Sequence, residues 1–238
     1  MHIELDQICK QYGQETVYNQ LSAEIEAGTL LCVLGVNGSG KTTLLRMLAG
    51  MAGRDSGDLR FDGESALRDN ISQRLKLCFL PDFPVLFTER TPLENIAIFI
   101  KLWQVETPPP HEEIINLLEE LDLLAHCRKP INKLSRGQMF KVALACLIIV
   151  NPELWLIDEP FASGMDPQGI SVFKKHAKLA VERGHTVIYS TQLLELAEKF
   201  SSRIWVVHNG GLAADGTALE LAENSGDLES LFNKLREQ

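Results

Sequence analysis

Near the N-terminus, apolar and polar residues alternate with a period of two. Ile3, Leu5 and then Ile8 form one set, Leu21, Ala23 and Ile25 a second, and Leu59 with Phe61 a third. Ala27-Gly28 and Asp62-Gly63 close two of these runs, so the pattern predicts short two-faced strands in a small antiparallel sheet. Elsewhere the apolar residues run nearly continuously: residues 30–34, 75–80, 154–157 and 204–208 read as strands of a mostly parallel sheet. A third pattern lies between them. Thr91-Pro92-Leu93-Glu94 supplies an N-cap, a proline at the first helical position and a glutamate three residues after the cap. Pro108-Pro109-Pro110 ends that helix, and Ile114, Leu117, Leu118, Leu121 and Ala125 recur at helical spacing in the next. Two helices without a strand between them break the strand–helix alternation, which predicts a helical insertion over roughly residues 85–150. Residues 193–200 read as a short helix. Asn209-Gly210 reads as a hairpin turn, with a further turn at Asp215-Gly216. The tail, 219–238, has helical spacing and is expected to cap the fold.

Candidate chemistry begins where the first buried run ends. Residues 35–42 read GVNGSGKT, the G-x-x-x-x-G-K-[ST] phosphate loop, placed between a strand and a helix. Glycines let the backbone curl until several N–H groups point inward, and the helix N-terminus adds positive potential where phosphate sits. Gly35, Asn37, Gly38, Ser39, Gly40, Lys41, Thr42 and Thr43 are thus candidate nucleotide-binding residues. Lys41 is expected to reach the β- and γ-phosphates and Thr42 to hold Mg²⁺. A second stretch, Leu134-Ser135-Arg136-Gly137-Gln138, offers a hydroxyl and free N–H groups at a helix start, although in isolation a plain N-cap is the better explanation. The strand at 154–157 then ends in Asp158-Glu159. An aspartate there can hold Mg²⁺ through water, and a glutamate can deprotonate an attacking water. Tyr12 sits beside a turn, where it serves either as surface packing or as an adenine-stacking ring.

The order of these motifs resembles the ATPase subunit of ABC transporters over nearly the whole chain. The resemblance implies an α/β fold: a P-loop NTPase core with a mostly parallel sheet, a flanking antiparallel β subdomain and an inserted helical subdomain, all in a single domain over 1–238. It assigns adenine stacking to Tyr12, the Walker A loop to residues 35–42 and the signature, which serves the ATP of the partner subunit, to Leu134, Ser135, Arg136, Gly137 and Gln138. Asp158 and Glu159 match Walker B with its catalytic glutamate, and Gly164 and Asp166 fall in the D-loop. The cofactors implied are ATP and Mg²⁺, with a head-to-tail dimer, homo- or heterodimeric, and a membrane-spanning permease subunit as partners.

Departures from the family pattern fall at three positions. Arg136 stands where glycine is usual, a tolerated variation that alters little by itself. Asp82 stands in place of the Q-loop glutamine; it can ligate Mg²⁺ but adds negative charge beside a triphosphate. Gln192 replaces the switch histidine, so it can donate an amide hydrogen bond but cannot become cationic. Slow turnover is the expectation, with local compensation and a heterodimeric partner supplying the better site as the alternatives.

Composition then narrows the function. At 238 residues and 45% hydrophobic content the chain can bury a large core. A net charge of −9 and a pI near 5.2 argue against nucleic acid as a partner. Five cysteines without a C-x-x-C pair read as buried thiols in a reducing compartment. The acidic, alternating N-terminus is unlike a signal peptide, and the longest apolar run is too short to span a bilayer. The expectation is a cytoplasmic protein held peripherally at the inner face of a membrane by a protein partner, without an added regulatory domain. Two alternatives remain at this point. One is a soluble nucleotide-gated clamp or regulatory ABC protein that does not drive transport; the other is a small-molecule kinase sharing only the phosphate loop.

Overall fold

A computed structural model describes residues 1–66 and 69–225. From residue 226 onward, the tail expected to cap the fold lies outside the described residues. The chain opens with two long strands, β1 (Ile3–Tyr12) and β2 (Glu15–Ile25), paired antiparallel. They run further than the alternation of apolar residues predicts. The register shifts between Leu5 and Ile8, between Ile8 and Lys10, and between Lys10 and Gln11. Gln7 and Gln20 adopt positive φ angles of 48° and 55°, the mark of bulges that hide a continuous strand behind a broken pattern.

Next come β3 (Leu30–Leu34), α1 (Lys41–Leu48), β4 (Ser56–Phe61), β5 (Glu64–Ser65), α2 (Ile71–Leu75) and β6 (Leu77–Leu80). Two helices follow, α3 (Pro92–Leu102) and α4 (His111–Glu120), then two short 3-10 turns, and then α5 (Arg136–Val150). The predicted capping box at Thr91 and Glu94 forms: Thr91 Oγ1 accepts from Glu94 N at 3.3 Å, and Thr91 N donates to Glu94 Oε2 at 2.8 Å. The remaining elements are β7 (Leu154–Ile157), α6 (Pro167–Glu182), β8 (Thr186–Thr191), α7 (Leu194–Phe200), β9 (Arg203–His208), β10 (Gly211–Gly216) and α8 (Ala218–Ser225). Asp215 and Gly216, expected as a turn, instead finish β10 opposite Trp205 and Ile204. The Arg203 guanidinium grips Asp215 there with bonds of 2.7 and 2.8 Å.

Two sheets result. The antiparallel one has the order β2-β1-β4-β5, and the larger one β10-β9-β3-β8-β7-β6, parallel except for β10. Period-two geometry sends alternate side chains of the large sheet to opposite cores. Leu31, Val33, Leu154, Leu156, Ile188 and Trp205 face α1 and the antiparallel sheet, whereas Cys32, Leu34, Trp155, Ile157, Tyr189 and Val206 pack toward α5 and α6. This three-layer α/β arrangement carries the carboxyl ends of β3, β6, β7 and β8 to one side. Cys32, Cys78 and Cys146 are buried as expected, but Cys9 and Cys127 are only half-buried. Among the described residues no helix is long and apolar enough to cross a membrane.

Candidate active site

The loop after β3 turns on Gly40, whose φ of +103° is a region that L side chains rarely adopt. A Cβ there would also come within 2.9 Å of Tyr18 Oη and Val17 Cγ1. Lys41, only 6% exposed, donates from Nζ to the carbonyls of Gly35 and Val36 at 3.0 and 3.1 Å, and Glu159 Oε1 lies 3.3 Å away. A buried ammonium needs such partners, because a lone one would cost several kcal/mol. Thr42 Oγ1 donates to Asp158 Oδ2 at 2.8 Å.

Asp158 and Glu159 are held from beneath by a residue that the motifs do not include. Ser190, fully buried on β8, donates from Oγ to Asp158 Oδ1 at 2.6 Å and accepts from Glu159 N at 3.0 Å. Its signal in the sequence is a hydroxyl inside an apolar strand next to the one that ends in the two acids. Burial holds the Glu159 carboxyl above the ordinary glutamate range, with Asp158 and Asp82 pushing the same way and Lys41 opposing. Its Oε2 is buried with no hydrogen-bond partner among the described residues.

A cleft of about 330 Å³ joins Tyr12, Asn37, Gly38, Gly40, Lys41, Thr42, Thr43, Asp82, Asp158 and Glu159. Glu15 also lines it, an acid that the motifs give no reason to expect there. Tyr12 is 49% exposed and ends β1, with Lys10 Nζ 4.8 Å from its ring centre. Gly35 sits at the base of the loop, its N–H donating to Thr191 O at 3.3 Å. Ser39 lines an adjoining cleft with His208 and Asn209. Gln192 is exposed just beyond β8 and does not line the cleft.

The signature residues start α5. Ser135 is its N-cap: Oγ accepts from Gln138 N at 3.3 Å, and Ser135 N donates to Gln138 Oε1 at 2.9 Å. Leu134 anchors this turn in the core. At Gly137 a Cβ would stand 2.1 Å from Gly164 O, so the helix start and the D-loop touch backbone to backbone. Buried Lys141 adds a 2.6 Å bond to Asp166 Oδ2, while Asp166 Oδ1 caps α6 by accepting from Gly169 N at 2.8 Å. Arg136 reaches the other way: its Nη2 donates to Asp82 Oδ1, and its guanidinium carbon lies 4.2 Å from the centre of the Phe83 ring.

Comparison with known proteins agrees with this geometry. A family model described as "ABC transporter" matches residues 18–162. The daunorubicin resistance ATP-binding protein DrrA3 of Streptomyces coeruleorubidus is 34% identical, over 94% of this chain and 71% of that protein. Nod factor export ATP-binding protein I of Paraburkholderia xenovorans (strain LB400) is 32% identical, over 97% of this chain and 76% of that one. In fold, a solved ATP-binding subunit of an ABC transporter superposes with a TM-score of 0.89 at 24% identity, covering 99% of this chain and 100% of the other. With the phosphate loop, the paired acids and the capped signature helix in one such fold, the chain belongs to the ABC transporter family, among its ATP-binding subunits.

Proposed function

We propose that the chain hydrolyses ATP in a head-to-tail dimer and passes the movement to a separate membrane-spanning partner. The observation that carries the reading is the half-buried Glu159 carboxylate, with Oε1 near Lys41 and Oε2 buried without a partner among the described residues, beside the Thr42–Asp158 pair. Lys41 exchanges its two loop carbonyls for phosphate oxygens. Glu159, with its raised proton affinity, orients and deprotonates the attacking water. The Thr42 hydroxyl and the Asp158 carboxylate form an all-oxygen donor set that suits Mg²⁺, which supplies charge neutralisation on the phosphates. Tyr12 stacks on adenine at the mouth of the cleft. Ser135, Arg136, Gly137 and Gln138, with the D-loop at Gly164 and Asp166, serve the nucleotide of the partner subunit.

Residues 1–238 act in this reading as one ATPase domain, with the helices of 85–150 as the insertion that meets the permease. Phe83, Val85 and Phe87 are exposed beside Asp82, an apolar patch suited to a protein partner at the inner face of the membrane. The relatives named for Nod factor export and daunorubicin resistance favour an exporter as that partner. Hydrolysis is slow in this reading, because Asp82 stands in the cleft in place of the Q-loop glutamine and Gln192, exposed just beyond the cleft, offers a neutral amide in place of a histidine.

Light scattering on a sizing column with and without Mg·ATP, with phosphate release followed on the same samples, tests these points. Expected are an ATP-dependent dimer, loss of release but retention of the dimer in Glu159→Gln, and faster release in Gln192→His. Unchanged release in Gln192→His removes Gln192 as the brake, and unchanged release in Glu159→Gln overturns the assignment of the base.

A further inference from the structure

Asp82 and Arg136 depart from the family pattern separately in the sequence, yet the fold joins them across a separation of 54 positions. Both partners are partly exposed, with side chains 34% and 40% accessible, so the pair contributes little to stability. Its position matters more. Among the described residues, Asp82 lines the nucleotide cleft together with three other acids, Glu15, Asp158 and Glu159, against the single cation Lys41. A triphosphate entering this cleft meets net negative charge, and the unneutralised carboxylate of Asp82 would add to it. Arg136 neutralises that carboxylate from the side, and its planar guanidinium stacks on Phe83 at the same time, which a lysine ammonium cannot reproduce in both respects.

We infer that Arg136 is a positioning residue for the nucleotide site of its own chain: paired with Asp82 and stacked on Phe83, it cancels the charge of that carboxylate at the cleft rim. The family pattern gives the start of α5 a role toward the partner's nucleotide only. Here the same residue also acts within one subunit, and the start of α5 is tied to the cleft through a charge pair. The inference rests on the reading of this cleft as the nucleotide site.

The test is a double-mutant cycle on binding rather than on turnover. Titration calorimetry with Mg·AMP-PNP on the full chain, at concentrations where light scattering shows a monomer, gives Kd for wild type, Arg136→Ala, Asp82→Asn, the double variant and Arg136→Lys. Thermal unfolding of each sample by circular dichroism reports folding separately. Arg136→Ala is expected to weaken binding about fivefold, the scale of one unit charge at several ångströms in a partly solvated site. Asp82→Asn binds at least as tightly as wild type, the double variant stays within twofold of Asp82→Asn, and Arg136→Lys recovers part of the loss. Equal losses from Arg136→Ala in the wild-type and Asp82→Asn backgrounds would overturn the proposal, since Arg136 would then act without Asp82. An unchanged monomer affinity in Arg136→Ala overturns it too, leaving only a role across the dimer. If wild type fails to bind, or Lys41→Ala binds as wild type does, the nucleotide-site reading itself fails, which is a distinct result.

Discussion

Gly137→Ala sets two effects against each other at one atom. Alanine is the better helix former by up to ~1 kcal/mol, and Gly137 lies in the first turn of α5 with no positive φ to forbid a side chain. Against that, the new Cβ would stand 2.1 Å from Gly164 O, 2.8 Å from Gly164 C and 3.3 Å from Met165 N, all backbone atoms. A backbone carbonyl cannot swing aside as a side chain can. Gly164 is itself confined, because Lys141 holds Asp166 two residues on. Overpacking costs about 1–3 kcal/mol, and so close an approach to backbone falls at about 2–3 kcal/mol; less the ~1 kcal/mol of propensity, the variant is destabilised by about 1–2 kcal/mol. With a urea slope on the order of 3 kcal/mol/M, the midpoint falls by about 0.3–0.7 M. Urea titration followed by tryptophan fluorescence measures it. Gly211→Ala is the control, since its Cβ meets no described atom within 4 Å and it lies in a strand. A midpoint for Gly137→Ala at or above wild type would show that the D-loop yields freely, and the close packing of signature and D-loop would lose its energetic basis.

Ser190→Ala leaves Asp158 Oδ1 and Glu159 N without their shared partner; the melting temperature drops by about 5–8 °C, from about 2–3 kcal/mol, and phosphate release falls with it. Unaltered melting would mean that other groups take over both bonds. Asn95→Ala removes a fully buried amide that bonds Phe87 N at 2.9 Å, Phe87 O at 3.2 Å and Thr91 O at 3.0 Å. It costs about 2–3 kcal/mol in chemical denaturation, and a loss below about 0.5 kcal/mol would show that these three bonds do not hold the segment to α3. The rate of hydrolysis declines on acidification at a pH above the ordinary glutamate value of 4.5, because the base Glu159 works deprotonated and burial raises its pKa. The same raised affinity means that the stability Glu159 contributes is lost as pH rises through its folded-state pKa, so wild type loses stability relative to Glu159→Gln across that range. A rate profile whose acid limb lies at or below 4.5 speaks against Glu159 as the group that titrates.

Phosphate loop, paired acids and helix caps were legible because each is a local pattern whose spacing is the mechanism. Gly40, Lys41 and Thr42 work at fixed offsets along one turn, and Thr91 and Glu94 meet three residues apart. What the sequence hid is what folding joins across distance. Ser190 looks like any strand serine until β8 pairs with β7. Arg136 and Asp82 read as independent substitutions, and only the approach of α5 to the end of β6 makes them partners. The length of β1 and β2 was concealed for another reason: each bulge shifts the alternation by one residue, so a single strand looks like two fragments.

Those same bulges bear on how the antiparallel sheet avoids edge-to-edge pairing with other chains. β2 is the outer strand of the antiparallel sheet, and an outer strand offers a row of unpaired amides to any neighbour. Gln20 at its positive φ twists that row out of line, Glu15 and Glu24 add charge along it, and Asn19 N is already spent on Gly210 O at 2.8 Å. Straightening β2 would therefore exchange a crooked, repelling margin for an adhesive one, and loss of solubility during synthesis would be the first consequence.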